Sequence, residues 1–246
     1  MVREHHRDIA SLPCREASFL ESPTELVLSR PRTSLFNEFD LPLLPGDGVA
    51  EYMPSLFSRA ESENLFNDLL TTTPWQFDEV MLFGQKKVLS RKVAWHGDGD
   101  FSYSYSGTSK TASPWSPVLL LIKERVEQQC AHRFNSCLLN LYHDGSEGMG
   151  WHSDDEKSLG RNPVIASVSF GAERVFKLKH RESKEVVSVV LENGSLLVMK
   201  GATQHHWVHS KPVWPVAEQS VQARVPAGPA QHLAQQPSVQ QWPEAQ

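Results

Sequence analysis

From Phe134 onward the chain repeats with a period of two residues, and that alternation limits the folds open to it. Asn140 and Tyr142 fall on one side of an extended segment and Leu139 and Leu141 on the other, because successive side chains of a strand point to opposite faces. Pro163 to Phe170 alternates again, Gly171-Ala172-Glu173 turns, and Arg174 to Lys179 continues the pattern. Val186 to Leu191 and Ser195 to Lys200 flank Asn193-Gly194, which predicts a hairpin between them. Upstream the period is helical. Ser58 and Glu61 form a capping box ahead of Leu65, Phe66, Leu69 and Leu70, predicting a helix from Ser58 to Leu70. Trp75 to Phe83 and Lys87 to Trp95 read as strands around a turn at Gly84. A second helix opens at Ser116 with Pro117 in its first position and buries Leu119, Ile122, Val126 and Cys130. Helices first and antiparallel strands after make an α+β chain. The expected core is a double-stranded β-helix (jelly roll) with flanking N-terminal helices.

The 246 residues suffice for one buried core without disulfides. Three parts are expected. Residues 1–45 carry Pro and charge without a period and read as a poorly ordered leader that becomes strand-like near Leu41 to Leu44. Residues 46–212 form the domain. Residues 213–246, rich in Gln, Ala and Pro, read as a divergent, disordered tail. A net charge of −5 argues against a generally basic nucleic-acid binder. It leaves room for local basic faces at Lys86, Lys87, Arg91 and Lys92 and at Lys177, Lys179, His180, Arg181 and Lys184. Cys14, Cys130 and Cys137 make no CxxC pair and no disulfide framework, which points to a reducing intracellular compartment. No apolar run reaches membrane-spanning length, and no signal-peptide core precedes the domain.

The chemistry concentrates in Gly150-Trp151-His152-Ser153-Asp154-Asp155-Glu156. His152 and Asp154, two positions apart in extended chain, share a side and offer an imidazole nitrogen and a carboxylate oxygen. His209, brought in by a later strand, would complete a two-His, one-carboxylate face. Such a face leaves half of a coordination sphere open, as non-haem Fe(II) oxygenases require. A His-x-Asp triplet alone is weak, since the chain holds eleven His. Its place after a Gly-rich turn and before a long alternating strand strengthens it.

These motifs, taken in order, resemble a known family. Asn140-Leu141-Tyr142, the His152 segment, Pro163-Val164-Ile165-Ala166-Ser167-Val168-Ser169-Phe170-Gly171-Ala172 and Gly194-Ser195-Leu196-Leu197-Val198-Met199 are similar to the AlkB-type 2-oxoglutarate- and Fe(II)-dependent dioxygenases. Arg91-Lys92-Val93-Ala94-Trp95 and Tyr103-Ser104-Tyr105-Ser106-Gly107 look like that family's substrate lid. The resemblance implies that His152, Asp154 and His209 hold Fe(II), and that Asn140 and Tyr142 bind 2-oxoglutarate. It further implies that Glu156 contacts an alkylated base and that Tyr105 and Tyr103 lie over it. The implied activity is oxidative dealkylation of N-alkylated bases in DNA or RNA. The carbon on the base nitrogen is hydroxylated and leaves as an aldehyde, while 2-oxoglutarate becomes succinate and carbon dioxide. Alkylated nucleic acid and dioxygen are the implied partners of a monomeric, membrane-independent enzyme.

One departure stands out. Such chains close with an Arg-x-Asn-Leu-Thr-Phe-Arg-like strand, whose first Arg pairs with the distal carboxylate of 2-oxoglutarate. Here the match stops near Lys211-Pro212, and Arg224 has no strand-like context. Two alternatives therefore stand beside the main expectation: an impaired relative lacking the 2-oxoglutarate Arg, and a dioxygenase acting on something other than nucleic acid.

Overall fold

The alternation at residues 136–142 becomes the partition of the molecule. The computed structural model describes residues 26–28, 42–82, 85–99, 102–105, 108–214 and 217–226, with 26–28, 80–82, 102–105, 108–111 and 157 described by backbone alone. Strand β7 (Ser136–Tyr142) turns Leu139 and Leu141 to one side and Asn140 and Tyr142 to the other. It lies in a seven-stranded sheet of order β2-β12-β9-β14-β7-β4-β3. The other members are β2 (Val49–Met53), β3 (Gln76–Leu82), β4 (Gln85–Gly97), β9 (Ile165–Gly171), β12 (Ser195–Lys200) and β14 (Ser220–Pro226). A five-stranded sheet of order β1-β11-β10-β13-β8 holds β1 (Leu26–Leu28), β8 (Met149–His152), β10 (Arg174–His180), β11 (Val186–Leu191) and β13 (Trp207–Lys211). This is the expected jelly-roll core. A separate two-stranded ribbon joins β5 (Ser102–Tyr105) to β6 (Thr108–Thr111).

Helices α1 (Arg59–Thr72) and α2 (Pro117–Cys130) cover the side of the large sheet that carries Leu139 and Leu141. Both start where the sequence placed them. Ser58 caps α1 in a reciprocal box with Glu61, and Ser116 caps α2 with Pro117 following. Leu65 and Leu69 from α1 and Leu119, Ile122 and Val126 from α2 pack on Leu139, Leu141, Val168, Phe170 and Val221. Each such fully buried side chain contributes about 1.5–3 kcal/mol. A second cluster fills one end of the space between the sheets, with Leu197 and Met199 of β12 facing Phe176, Leu178, Val189 and Trp207. The other end of that space is polar.

Two expectations fail here. Val186–Leu191 and Ser195–Lys200 are strands, but they do not form a hairpin: β11 pairs with β10, while β12 pairs with β2 and β9. The Asn193-Gly194 turn is a corner that carries the chain from one sheet to the other. Gly194 sits at φ +81°, and a Cβ there would come within 2.1 Å of Ser62 Oγ. Its N–H donates to Ser169 O (2.7 Å) and its carbonyl accepts from Leu56 N (2.9 Å). The turn residues were read correctly, but strand partners are chosen by tertiary packing rather than by the turn.

The second failure is the tail. Ser220–Pro226 is a strand, paired along its length with β7 and β9. Two ladders satisfy its backbone, and Val221, Ala223 and Val225 complete the apolar layer beneath the helices. Residues 227–246 lie outside the described residues. So does most of the expected leader, although Leu44 is buried and 26–28 pair in parallel with β11.

Candidate metal centre and its cavities

The five-stranded sheet brings the two histidines opposite each other on neighbouring strands. His152, the last residue of edge strand β8, pairs directly with His209 of β13. Asp154 follows two residues on, its N–H held by Gln204 Oε1 at 2.9 Å. One donor atom from each of His152, Asp154 and His209 lies within 4.8 Å of the other two. His152 Nδ1 donates to Gly150 O (2.8 Å), which leaves the Nε2 lone pair pointing into the protein. His209 stacks on Phe176, ring centroids 5.3 Å apart, and meets the His152 ring edge-on at 4.2 Å.

The charge states suit a metal. Burial pushes the His209 imidazole down to about 3, and burial followed by the nearby Arg224 lowers His152 as well. Burial opposes the Asp154 charge, but Arg224, His209 and His152 together outweigh it and hold the carboxyl below its usual range. Neutral imidazoles and an ionised carboxylate are the forms a divalent cation binds. His152 Nε2 and Asp154 Oδ2 are buried with no hydrogen-bond partner. In a folded protein such orphans are costly unless something completes them, so the donor set fits Fe(II).

Two cavities meet at this centre. The first lies between the sheets, lined by Asn140, Tyr142, Ser167, Lys211, Gln222 and Arg224 beside His152 and His209. Gln222 Nε2 donates to Ser167 Oγ (2.7 Å), while Asn140 Oδ1 is buried without a partner. Tyr142 is fully buried beneath two cations, Lys211 Nζ at 4.5 Å and the Arg174 guanidinium at 5.0 Å from its ring. Burial, then Arg174, pushes the Lys211 ammonium well below its ordinary range. The second cavity is lined by Asp78, Arg91, Val93, Trp95 and Glu156, and shares Asn140, His152, Asp154 and Arg224 with the centre. Arg91 and Asp78 form a buried ion pair of 2.5 Å there. Arg91 is thus part of a pocket wall and not of the solvated basic face its sequence neighbours suggested.

The structure brings together His152, Asp154, His209, Asn140, Tyr142 and Glu156. Tyr103 and Tyr105 lie on β5, and their side chains are outside the described residues. Sequence reasoning missed Lys211, Gln222 and the placement of Arg224. Arg224 Nη1 donates to Asp154 Oδ1 at 2.5 Å, so the supposed tail reaches the centre. Parity could have found all three: Lys211 is two residues from His209, and Gln222 and Arg224 alternate with Val221, Ala223 and Val225. Setting Arg224 against the last Arg of the expected closing run leaves Glu218, which is exposed, where the first Arg would stand.

The family model described as the 2OG-Fe(II) oxygenase superfamily matches residues 49–225. The chain belongs to that superfamily, in its AlkB-like branch, and its cofactors are Fe(II) and 2-oxoglutarate. It is 37% identical over 169 residues to the alpha-ketoglutarate-dependent dioxygenase alkB homolog 3 of Bos taurus, a span of 65% of this chain and 58% of that one. It is 37% identical over 181 residues to the DNA oxidative demethylase ALKBH2 of Mus musculus, covering 69% and 76%. The solved structure of OsALKBH1 shares the fold, with a TM-score of 0.52 at 13% identity over 72% of this chain and 96% of that one.

Proposed function

We propose that this chain oxidatively dealkylates N-alkylated bases in DNA or RNA, reversing the lesion directly. The observation that carries this reading is the second cavity. It shares His152, Asp154 and Arg224 with the metal centre, so whatever fills it lies against the open metal face. Trp95 gives it a flat wall and Val93 an apolar one, and Asp78, Arg91 and Glu156 give it polar edges. A nucleobase needs both. A relative that is a DNA oxidative demethylase points the same way.

In this reading His152, Asp154 and His209 hold the iron. Together with 2-oxoglutarate and dioxygen, bound Fe(II) supplies the oxidising chemistry that hydroxylates the carbon on the base nitrogen. Asn140 and Tyr142 bind and orient 2-oxoglutarate. Glu156 reads the base edge, while Tyr105 and Tyr103 close over its face. Asp154 is kept anionic and oriented by Arg224. The target carbon lies inside the stack of a duplex, so the base is flipped or taken from a single strand. The exposed Lys86 and Lys87 at the start of β4 are placed to meet backbone phosphates. A reducing compartment suits the free thiols of Cys130 and Cys137, and no described helix is long and apolar enough to cross a membrane.

The test is an anaerobic titration with Fe(II) and 2-oxoglutarate, followed by aerobic turnover on a methylated oligonucleotide. Succinate and formaldehyde should appear together, and an unmethylated strand should give neither above background. Turnover on a methylated peptide but not on any methylated oligonucleotide would overturn the substrate. Tight metal and 2-oxoglutarate binding without turnover would mark an impaired relative.

A further inference from the structure

The cavity between the sheets holds a cation that no described residue neutralises. Lys211 is 3% exposed, yet its Nζ makes no hydrogen bond or ion pair with any described residue, and rests on the Tyr142 ring. Neighbouring cations are otherwise engaged. Arg174 forks onto the carbonyls of Asp144, Glu147 and Pro212, and Arg224 is bonded to Asp154. A buried ammonium without a counter-charge is costly. Its burial is accounted for if an anion enters the cavity.

We propose that Lys211, with Tyr142 beside it, binds the distal carboxylate of 2-oxoglutarate in this chain. The inference rests on the reading that this cavity takes 2-oxoglutarate. His209 and Lys211 stand two residues apart on β13 and line the same cavity, a rise of roughly 6.6 Å along a strand. A five-carbon keto acid chelating a metal with its 1-carboxylate and 2-oxo group extends its far carboxylate by about the same length, at ~1.5 Å per carbon–carbon bond. The metal end of the cavity already has its cation in Arg224, so Lys211 serves the opposite end. Glu218 is exposed and acidic and offers no cation. The lysine therefore takes, from a different strand, the role that the expected closing run would give to its first Arg. It is a binding residue and leaves the metal ligands untouched.

The experiment compares two ligands on the Fe(II)-loaded protein without oxygen: 2-oxoglutarate, and 2-oxopentanoate, which has the same chain length but no distal carboxylate. Wild type should bind 2-oxoglutarate at least tenfold more tightly. Lys211→Met should erase that preference, raising the 2-oxoglutarate dissociation constant tenfold or more while changing that of 2-oxopentanoate less than twofold. Fe(II) affinity and the melting temperature should hold, and Lys211→Arg should restore most of the preference. If Lys211→Met does not fold, Lys211→Gln carries the same comparison. A folded, metal-binding variant that keeps the preference overturns the proposal, as does equal loss for both ligands. Failure of wild type to bind either keto acid would instead refute the cavity's assignment.

Discussion

The two faces of β7 are a residue apart in sequence and opposite in character. On the helix side, Leu139 and Leu141 meet α1, α2 and the apolar residues of β9 and β14, and no polar side chain of β7 intrudes. On the other side, Asn140 and Tyr142 look into a cavity where Asn140 Oδ1, His152 Nε2 and Asp154 Oδ2 are buried without hydrogen-bond partners. The first face is complete as it stands, and its burial is what stabilises the sheet. The second leaves buried polar atoms unsatisfied, so its polar groups contribute little to folding.

The largest effect should come from breaking the polar face. His152→Ala, Asp154→Ala and His209→Ala should each reduce Fe(II)-dependent turnover to background, with unfolding midpoints that move less than for a substitution on the apolar face. Retained turnover in any one of them would remove that residue from the metal-binding set. Next comes the paired test on neighbouring residues. Leu139→Ala should cost about 2–5 kcal/mol of stability by urea denaturation. Asn140→Leu should lie within about 1 kcal/mol of wild type, since it removes an unsatisfied acceptor, yet weaken 2-oxoglutarate binding. If the two substitutions cost the same, the contrast between the faces is wrong.

A pH effect of intermediate size follows from the buried imidazoles. His209 is pushed down to about 3 and His152 is lowered too, whereas both titrate near 6.5 when unfolded. Below pH 6.5 the unfolded chain takes up protons that the folded chain refuses. Stability of the metal-free protein should therefore fall on acidification, by up to about 1.4 kcal/mol per pH unit for each imidazole. Asp154, whose carboxyl is depressed, acts in the same direction at still lower pH. The urea midpoint should be lower at pH 5 than at pH 7, and saturating metal should raise it at both. A midpoint independent of pH would mean that the histidines are not held neutral. The smallest effect lies on the apolar side. Ser58→Ala removes the α1 cap and should cost about 1 kcal/mol without changing turnover or keto-acid affinity.

Most of this division was legible in the sequence. The alternation over 136–142 gave β7 and the identity of both its faces, and the Ser58–Glu61 capping box and the Ser116-Pro117 start placed the two helices. His152, Asp154 and His209 stood out because their chemistry is specific. The rest depended on partners that are remote in the chain. Asn193-Gly194 signals a turn but does not choose a sheet. Ser220–Pro226 contains only two Val and one Ala on its inward side and ends in Pro. It is a strand because β7 and β9 bracket it, and a propensity argument sees neither neighbour. Arg224 was lost along with it, and Lys211 was passed over because a lysine is expected at the surface.

The position of β14 also has a consequence for how the enzyme comes into being. Among the described strands it is the last to be synthesised, yet it lies in the middle of the larger sheet. A growing chain can make His152, Asp154 and His209 and still leave β7 and β9 with unpaired edges across a gap. Asp154 then lacks the Arg224 that holds it, and the apolar layer lacks Val221, Ala223 and Val225. Closure of the sheet and completion of the reactive centre become a single late event. An interrupted translation product lacks both at once, because the strand that closes the sheet is also the one that carries Arg224 to Asp154.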